Sequence, residues 1–250
     1  MTDTAPRIRL YVPDDLADGL VLGLSANQAH YLRHVMRLKA GQAVRLFNGR
    51  DGEWRARIEG FGKGWCSLAL DGRLAEQTPE AGPLLLFAPL KRARIDALVE
   101  KAVELGVAAL QPTLTRRTSV GRVNRDRLRL IAIEAAEQCG RLSVPELYAP
   151  RDLAALLDDW PAGRRLVFLD EGGGVPPLGD VLATAALPAE GWALLIGPEG
   201  GFDDAERGDL TARDFVLPAG LGPRILRAET AALAALTLWQ ALAGDWRAEA

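Results

Sequence analysis

The chain has 250 residues, 48% of them hydrophobic and 25% charged, which is enough for two globular domains with separate cores. No apolar run approaches the ~20 residues of a membrane span, and the N-terminus lacks the basic and apolar regions of a signal peptide. The two cysteines, Cys66 and Cys139, form neither a disulfide framework nor metal-ligand spacing, so we expect a cytoplasmic protein with no metal and no membrane segment.

Charge is unevenly distributed along the chain, although the net charge is only −3. Residues 1–151 contain 23 Lys and Arg against 17 Asp and Glu, whereas residues 152–250 contain 7 against 16. A basic first part is typical of a surface that meets a polyanion, but random variation among solvated faces produces the same pattern. Charge alone therefore leaves both interpretations open.

Residues 1–73 are predicted to form a small β-rich domain with one helix. Strands are expected in RIRLYV, AVRLF, EWRARIEGF and GWCSLAL, and short strands at this spacing suggest a compact barrel. The helix is expected in SANQAHYLRHVMRLKAG, with Ser25 and Gln28 at capping-box spacing and Gly41 just past its end. Residues 74–83 are polar and rich in proline and glycine, which predicts a linker.

The predicted helix of this first domain carries cations along one face. At ~100° per residue, the members of that face are His30, Arg33, His34 and Arg37. The opposite, apolar face contains Leu32, Val35 and Met36. Such a cationic stripe suits RNA phosphates, which position an RNA without reading its sequence. An ordinary solvated helix face is the alternative.

From residue 84 to residue 244, predicted strands and helices alternate, which indicates an α/β domain with a largely parallel sheet. Strands are expected in LLLFAPL, VAALQPTLT, ELYAP, RRLVFLD, GWALLIG and DFVLP. Helices are expected in RARIDALVEKAVELG, NRDRLRLIAIEAAEQCG, DLAALLDDW, LGDVLATAAL, DDAERGDLTA and ETAALAALTLWQALAG. One face of the first helix contains Ile95, Leu98, Val99 and Ala102, and Asn124 is expected to cap the second. Sheets of this kind bind ligands at the carboxyl ends of their strands.

Two glycine-rich loops follow strands in the last part of this domain. GPEGG follows WALLI and precedes a helix with Asp203 and Glu206 at capping-box spacing, while AGLGPRILRAET follows DFVLP. We expect the two loops to be neighbours at the sheet edge and to hold one ligand. Neither contains a Walker or dinucleotide fingerprint, and their acidic residues disfavour phosphate. A nucleoside with a positive centre, such as S-adenosylmethionine, fits them better.

A third glycine-rich stretch, LVFLDEGGGVPPLGD, also follows a predicted strand. In a Rossmann-type methyltransferase a helix begins directly on such glycines, whereas Val175, Pro176 and Pro177 intervene here. We therefore expect a surface turn outside the cofactor site.

Five motifs, taken together, resemble the RsmE family of SPOUT-class methyltransferases that act on small-subunit ribosomal RNA. They are HYLRHVMRLKAGQAVRLFNGRDGE, KAVELGV, EAAEQCGR, LLIGPEGGFDDAE and LGPRILRAETAALAAL, and the resemblance covers nearly the whole chain. It implies an N-terminal PUA-like RNA-binding β-barrel in residues 1–73. It also implies a SPOUT domain in residues 84–244, in which a mostly parallel sheet with helices on both faces ends in a trefoil knot. The resemblance also implies a homodimer that binds S-adenosylmethionine. The implied activity is methylation of N3 of one uridine near the decoding centre of 16S rRNA.

The resemblance and the two loops together predict which residues bind the cofactor and the RNA. The expected cofactor-binding residues are Leu195, Ile196, Gly197, Pro198, Glu199, Gly200, Gly201, Leu217, Leu221, Gly222, Ile225 and Leu226. The expected RNA-binding residues are His30, Arg33, His34, Arg37, Arg116, Arg117 and Arg141.

Two residues of the second cofactor loop are the predicted catalytic pair. Our hypothesis is that Arg227 stabilises the uridine imide anion or clamps the substrate, and that Glu229 orients Arg227 or accepts the proton. The alternative is that Glu229 only complements the helix N-terminus.

Other interpretations stay open. Glu134, Gln138 and Arg141 share a helix face at i, i+4 and i+7, where they bind RNA, bridge subunits or cap the helix, and Cys139 is expected to pack beside them. The target could instead be tRNA or 23S rRNA. A catalytically silent ribosome-assembly factor and a conventional NAD- or nucleotide-dependent enzyme are the rival classes.

Overall fold

The computed structural model describes residues 6–185, 188 and 191–247, and these form two compact units. The first unit contains residues 6–79 and 136–144, and the second contains the described residues among 80–135 and 145–250. Residues 1–5 of the predicted first domain, and residues 186–187 of the predicted helix LGDVLATAAL, lie outside the described residues.

The strands of the first unit form one mixed sheet. They are β1 (Arg9–Tyr11), β2 (Val21–Leu24), β3 (Ala43–Phe47), β4 (Glu53–Gly62) and β5 (Trp65–Ala75). Their order is β1-β3-β4-β5-β2, with β1 parallel to β3 and the other neighbours antiparallel. Strand β2 was not predicted from the sequence, because its four residues are few and include a glycine, which is depleted in strands.

The core of the first unit lies on one face of this sheet. Along β5 the buried side chains are Cys66, Leu68 and Leu70, which follow the two-residue period of a strand. They pack with buried residues of β3 and β4 and with Leu32. Burial raises the pKa of the Cys66 thiol, so this cysteine behaves as an apolar core residue.

The helix of the first unit is shorter than predicted. Helix α1 (Ala26–His30) begins with the expected Ser25–Gln28 capping box and continues as a π-helical turn, Tyr31–Val35. The chain then turns at Arg37, whose φ of 55° is left-handed, so Arg37 does not extend the cationic face. Of the three apolar residues predicted opposite the cationic face, Leu32 is buried, whereas Val35 and Met36 in and after the π-helical turn are exposed.

The first unit also includes the end of a helix from later in the chain. The guanidinium of Arg9 donates to the backbone carbonyls of Ala136 (2.8 Å), Glu137 (3.1 Å) and Arg141 (2.7 Å). It also pairs with Glu53, and both side chains are largely buried. These bonds satisfy carbonyls that a helix C-terminus leaves without intrahelical partners, and they hold residues 136–144 in this unit.

The second unit contains seven short strands and six helices among its described residues. The strands are β6 (Leu84–Phe87), β7 (Ala109–Leu114), β8 (Glu146–Leu147), β9 (Arg151–Asp152), β10 (Arg165–Leu169), β11 (Trp192–Ile196) and β12 (Val216–Ala219). The helices are α2 (Arg92–Glu104), α3 (Arg125–Cys139), α4 (Leu153–Asp158), α5 (Leu178–Thr184), α6 (Asp204–Thr211) and α7 (Ala228–Leu242). Residues of α3 from 136 onward belong to the first unit. No helix in the described part of the chain is long and apolar enough to cross a membrane.

The strands of the second unit pair only in parallel among the described residues. The order is β12-β10-β11-β6-β7-β8, and β9 pairs with β7. All five residues of β11 are buried, as expected for a central strand covered on both faces. Strand β10 lies between β11 and β12, so the two predicted cofactor loops follow strands that are not adjacent in the sheet.

Two predicted features of the helices are confirmed. The face of α2 with Ile95 and Leu98 is buried, and the Asn124 side chain accepts from the backbone N–H of Arg127 at 3.1 Å, as a cap does. Cys139, however, is exposed at the last residue of α3 rather than packed.

The KAVELGV motif is explained by contact between α2 and α7. The buried side chain of Gln240 donates to the carbonyl of Leu105 at 2.8 Å. Gly106 has a φ of 76°, and a Cβ there would lie 2.2 Å from Gln240 Nε2. Glycine is therefore required at this position for both conformation and space.

Candidate active site

A cavity of about 690 Å³ lies in the second unit at the carboxyl ends of β10, β11 and β12. Its wall is formed mainly by the loops that follow these strands, with Arg94 of α2 contributing from the side. We refer to them as the β10–α5 loop (170–177), the β11–α6 loop (197–203) and the β12–α7 loop (220–227). The volume suits a cofactor-sized ligand.

The β11–α6 loop is held tightly by its own packing. Phe202 is buried against Phe168 in an edge-to-face contact, with ring centroids 5.0 Å apart. A Cβ on Gly197 would lie 2.5 Å from the Phe202 ring, so only glycine fits there. Gly201 has a φ of 68°, which also favours glycine.

The helix after this loop begins with the predicted capping box. The Asp203 carboxylate accepts from the Glu206 N–H at 2.7 Å, and the Glu206 side chain accepts from the Asp203 N–H at 3.2 Å. The Glu206 N–H, and in addition Arg116, hold the pKa of Asp203 below its ordinary value. Asp203 therefore stays ionised in the folded protein at neutral pH.

The β10–α5 loop lines the cavity, so the prediction that this loop is a surface turn outside the site is wrong. The reason is the strand order, which places the end of β10 between those of β11 and β12. Arg207 of α6 pairs with Asp170 and Glu171 of this loop. Glu171 also accepts from the Phe202 N–H at 3.4 Å, which ties this loop to the β11–α6 loop.

The β12–α7 loop is largely exposed. Gly222 has a φ of 91°, and Ile225 is 86% exposed even though it borders the cavity. Arg224 and Arg227 also line the cavity and are exposed. Arg227 is the N-cap residue of α7 but makes no side-chain cap bond.

Most of the predicted cofactor residues lie on the cavity wall. Those that line it are Ile196, Gly197, Pro198, Glu199, Gly201, Leu221, Gly222, Ile225 and Leu226. Three others are absent from the lining: Leu195 is buried within β11, Leu217 lies within β12, and Gly200 packs toward Arg117.

The predicted pairing of Arg227 with Glu229 is replaced by a different ion pair. Glu229 Oε1 lies 3.6 Å from Nε of Arg94, and Arg94 Nη1 lies 3.3 Å from Glu199 Oε1. Arg94 lines the cavity, whereas Glu229 is not among the lining residues. Arg94 was not among the predicted site residues, although its place in KRAR, just after the carboxyl end of β6, is a signal for it.

The wall chemistry fits S-adenosylmethionine. Its apolar residues include Ile196, Pro198 and Leu226, and its carboxylates Asp170 and Glu171 are paired with Arg207. Positive-φ glycines and close packing leave backbone groups free to approach a flat nucleoside. No group of three or more His, Cys, Asp or Glu side chains suited to a metal occurs in the described part of the chain.

The predicted RNA-binding residues of the first unit have distinct environments. The rings of His30 and His34 lie side by side with centroids 4.7 Å apart, so these two do share a face. The Arg33 guanidinium lies 5.8 Å from the centre of the Phe61 ring. Arg141, just beyond α3, is half-buried, and its carbonyl accepts from Arg9. Glu134 and Gln138 of α3 are exposed.

In the second unit, Arg116 and Arg117 contact the β11–α6 loop region. Arg116 pairs with Asp203 at 3.0 Å, and Arg117 donates to the carbonyl of Gly200 at 2.9 Å. Both arginines remain exposed.

Comparisons with known proteins agree on one family. A family model described as an RNA methyltransferase domain matches residues 81–240, and another, an RNA methyltransferase PUA domain, matches residues 24–68. Ribosomal RNA small subunit methyltransferase E of Rickettsia conorii is 31% identical over 91% of this chain and 93% of its own length. The protein of that name from Synechocystis sp. is 33% identical over 92% of this chain and 76% of its own length.

A solved structure gives the same result. The crystal structure of a ribosomal RNA small subunit methyltransferase E from Neisseria gonorrhoeae, bound to S-adenosyl methionine, aligns with a TM-score of 0.83 and 28% identity. The alignment covers 94% of this chain and 97% of that one. The predicted fold class, an α/β domain with a mostly parallel sheet and an N-terminal PUA-like domain, is confirmed. The chain therefore belongs to the ribosomal RNA small subunit methyltransferase E family, the RsmE family that its motifs resemble.

Proposed function

We propose that this chain transfers a methyl group from S-adenosylmethionine to N3 of one uridine of 16S rRNA near the decoding centre. The observation that carries this proposal is the three-loop cavity. Its wall contains glycine backbone, carboxylates and the guanidinium groups of Arg94, Arg224 and Arg227. When bound, S-adenosylmethionine supplies the methyl group on its sulfonium centre. Relatives that carry the RsmE name support the choice of small-subunit ribosomal RNA.

Within this proposal, the arginines of the β12–α7 loop act on the uridine. Loss of the N3 proton leaves negative charge on O2 and O4, and a guanidinium stabilises such an anion. Arg227 is suited to this role because it is exposed and lines the cavity. Glu229 acts through Arg94, which it contacts. This contact holds the Arg94 guanidinium, a second cation, beside the cavity.

The RNA is proposed to contact cations on both units. In the first unit these are His30, Arg33, His34, Arg37 and Arg141; in the second they are Arg116 and Arg117. We keep the domain division proposed from the sequence, with residues 1–73 as the RNA-binding domain and 84–244 as the methyltransferase domain. A protein that acts on ribosomal RNA belongs in the cytoplasm.

A homodimer is the proposed assembly. Near the C-terminus, Leu238 and Leu242 are exposed one helical turn apart on α7, and Trp246 beyond the helix is also exposed. Clustered apolar side chains of this size at a surface are typical of a protein interface.

The proposed function is tested by mapping ribosomal RNA with mass spectrometry. RNA from cells that lack the gene should miss one methyl group on a 16S uridine, and the wild-type gene should restore it. A missing methyl group on tRNA or 23S rRNA would identify that RNA as the substrate instead. Equilibrium dialysis completes the test, because a silent assembly factor would not bind S-adenosylmethionine.

A further inference from the structure

The turn that follows β7 holds the β11–α6 loop through a direct side-chain contact. Arg117 Nη1 donates to the carbonyl oxygen of Gly200 at 2.9 Å. An added Cβ on Gly200 would lie 3.4 Å from Arg117 Cβ, so the two residues also pack together. The bond fixes the peptide group that joins Gly200 to Gly201. This is the point in the loop where two adjacent glycines leave the backbone least restrained.

The neighbouring arginine holds the other end of the same loop. The Arg116 side chain pairs with Asp203 at 3.0 Å, and the Arg116 backbone N–H donates to Glu206 Oε1 at 2.7 Å. Asp203 and Glu206 form the capping box that begins α6, so Arg116 extends that box into a network. The end of the loop and the start of the helix are thereby joined to the turn after β7.

The turn itself is closed by its own hydrogen bonds. The Thr118 N–H donates to the Thr115 carbonyl at 3.0 Å, and the Thr115 N–H donates to Thr118 Oγ1 at 2.8 Å. The two hydroxyl groups are also 2.9 Å apart. Both arginines therefore project from a fixed backbone rather than from a freely moving loop.

We infer that Arg116 and Arg117 are positioning residues that hold the β11–α6 loop in the form that binds the cofactor. The inference rests on the proposed function, because it takes the cavity to be the S-adenosylmethionine site. It gives these arginines a structural role in addition to the RNA contact proposed for them above. Phosphate contact alone would require neither the bond to the Gly200 carbonyl nor the contacts with the capping box.

The first measurement is S-adenosylmethionine affinity by equilibrium dialysis without RNA. Arg117→Ala should weaken binding about fivefold, since one hydrogen bond from a charged donor is lost at a partly exposed site. Arg117→Lys should restore most of the affinity, because an ammonium group can donate to the same carbonyl. Arg122→Ala is the matched control: it removes the same charge from the same β7–α3 connection, where Arg122 is exposed, and should leave affinity unchanged.

The second measurement is amide hydrogen exchange in the free protein. The Gly201 N–H donates to the Pro198 carbonyl at 2.9 Å, so its exchange rate reports opening of the loop. Arg117→Ala should speed exchange at Gly201 about fivefold, and Arg122→Ala should not change it.

Two results would overturn the inference. One is unchanged exchange and affinity in Arg117→Ala; the other is an equal loss in Arg122→Ala, which would mean a general effect of charge. Failure of the wild-type protein to bind S-adenosylmethionine would instead refute the proposed function. Exchange at Gly201 would then still decide the role of Arg117, because that measurement needs no cofactor.

Discussion

At the scale of single residues, the contact between Gly197 and Phe202 sets the shape of the β11–α6 loop. The Phe202 ring has no room to yield, because it is buried and packs edge-to-face on Phe168. Glycine at position 197 is therefore a packing requirement of the cavity wall.

We predict that Gly197→Ala lowers the free energy of unfolding by about 1–3 kcal/mol, because the added methyl group overpacks the site. Urea denaturation measures this change. Gly200→Ala in the same loop is the control, since its Cβ would meet Arg117 at an ordinary 3.4 Å. Equal stability of the two variants would show that the Gly197 contact is not a constraint.

The proposed role of Arg227 leads to a second residue-scale prediction. Arg227→Ala should lower kcat by about 100-fold or more, as expected when one charged donor to a transition state is removed. S-adenosylmethionine affinity should stay within a few-fold of wild type, because the substrate and not the cofactor is contacted. Single-turnover kinetics and dialysis measure the two quantities.

The control for this prediction is Arg151→Ala, which removes an exposed guanidinium that pairs with Asp159 and is absent from the cavity lining. Its turnover should match wild type. Normal turnover of Arg227→Ala would remove that residue from the mechanism.

At the scale of elements, the start of α6 depends on a charged cap. The Glu206 N–H donates to the Asp203 carboxylate, and with Arg116 it holds the pKa of Asp203 below the ordinary 3.8. A depressed carboxyl pKa adds stability above the unfolded-state pKa, and this contribution is lost as the pH falls through the folded-state value.

We predict that Asp203→Asn is less stable than wild type near neutral pH and that the difference becomes smaller as the pH falls below 3.8. Asparagine keeps a cap oxygen but loses the charge that faces Arg116. Urea denaturation at about pH 6 and about pH 3 measures the two differences. A difference that is the same at both values would mean that ionisation of Asp203 does not stabilise the fold.

At the scale of the whole molecule, the exposed apolar residues near the C-terminus are expected to join two chains. A homodimer would cover Leu238, Leu242 and Trp246, which are exposed in the single chain. Burial of such side chains is the main driving force for association of permanent dimers.

We predict that wild-type protein runs at twice its chain mass of 26.9 kDa and that Leu242→Asp runs as a monomer. A charge placed in an apolar interface has no partner there and opposes association. Size-exclusion chromatography with light scattering gives the mass directly. Leu130→Asp, at an exposed leucine of α3, is the control and should leave the mass unchanged. A dimeric Leu242→Asp protein would place the interface elsewhere.

The sequence by itself determined the features that depend on near neighbours. Capping boxes at Ser25 and Asp203 are confirmed because they involve residues three positions apart. The buried face of α2 is confirmed because helix period and hydrophobicity predict it together. The five motifs identified the RsmE family correctly, since they are contiguous stretches read in order.

Only the tertiary structure decided which strands pair and which distant side chains contact each other. No local pattern states that β10 pairs between β11 and β12, so the β10–α5 loop was wrongly excluded from the cavity wall. Arg94 and Glu229 are 135 positions apart, and their contact exists only because α2 and the start of α7 come together around the cavity. Strand order and long-range ion pairs follow from the packing of the whole domain, which residue spacing does not encode.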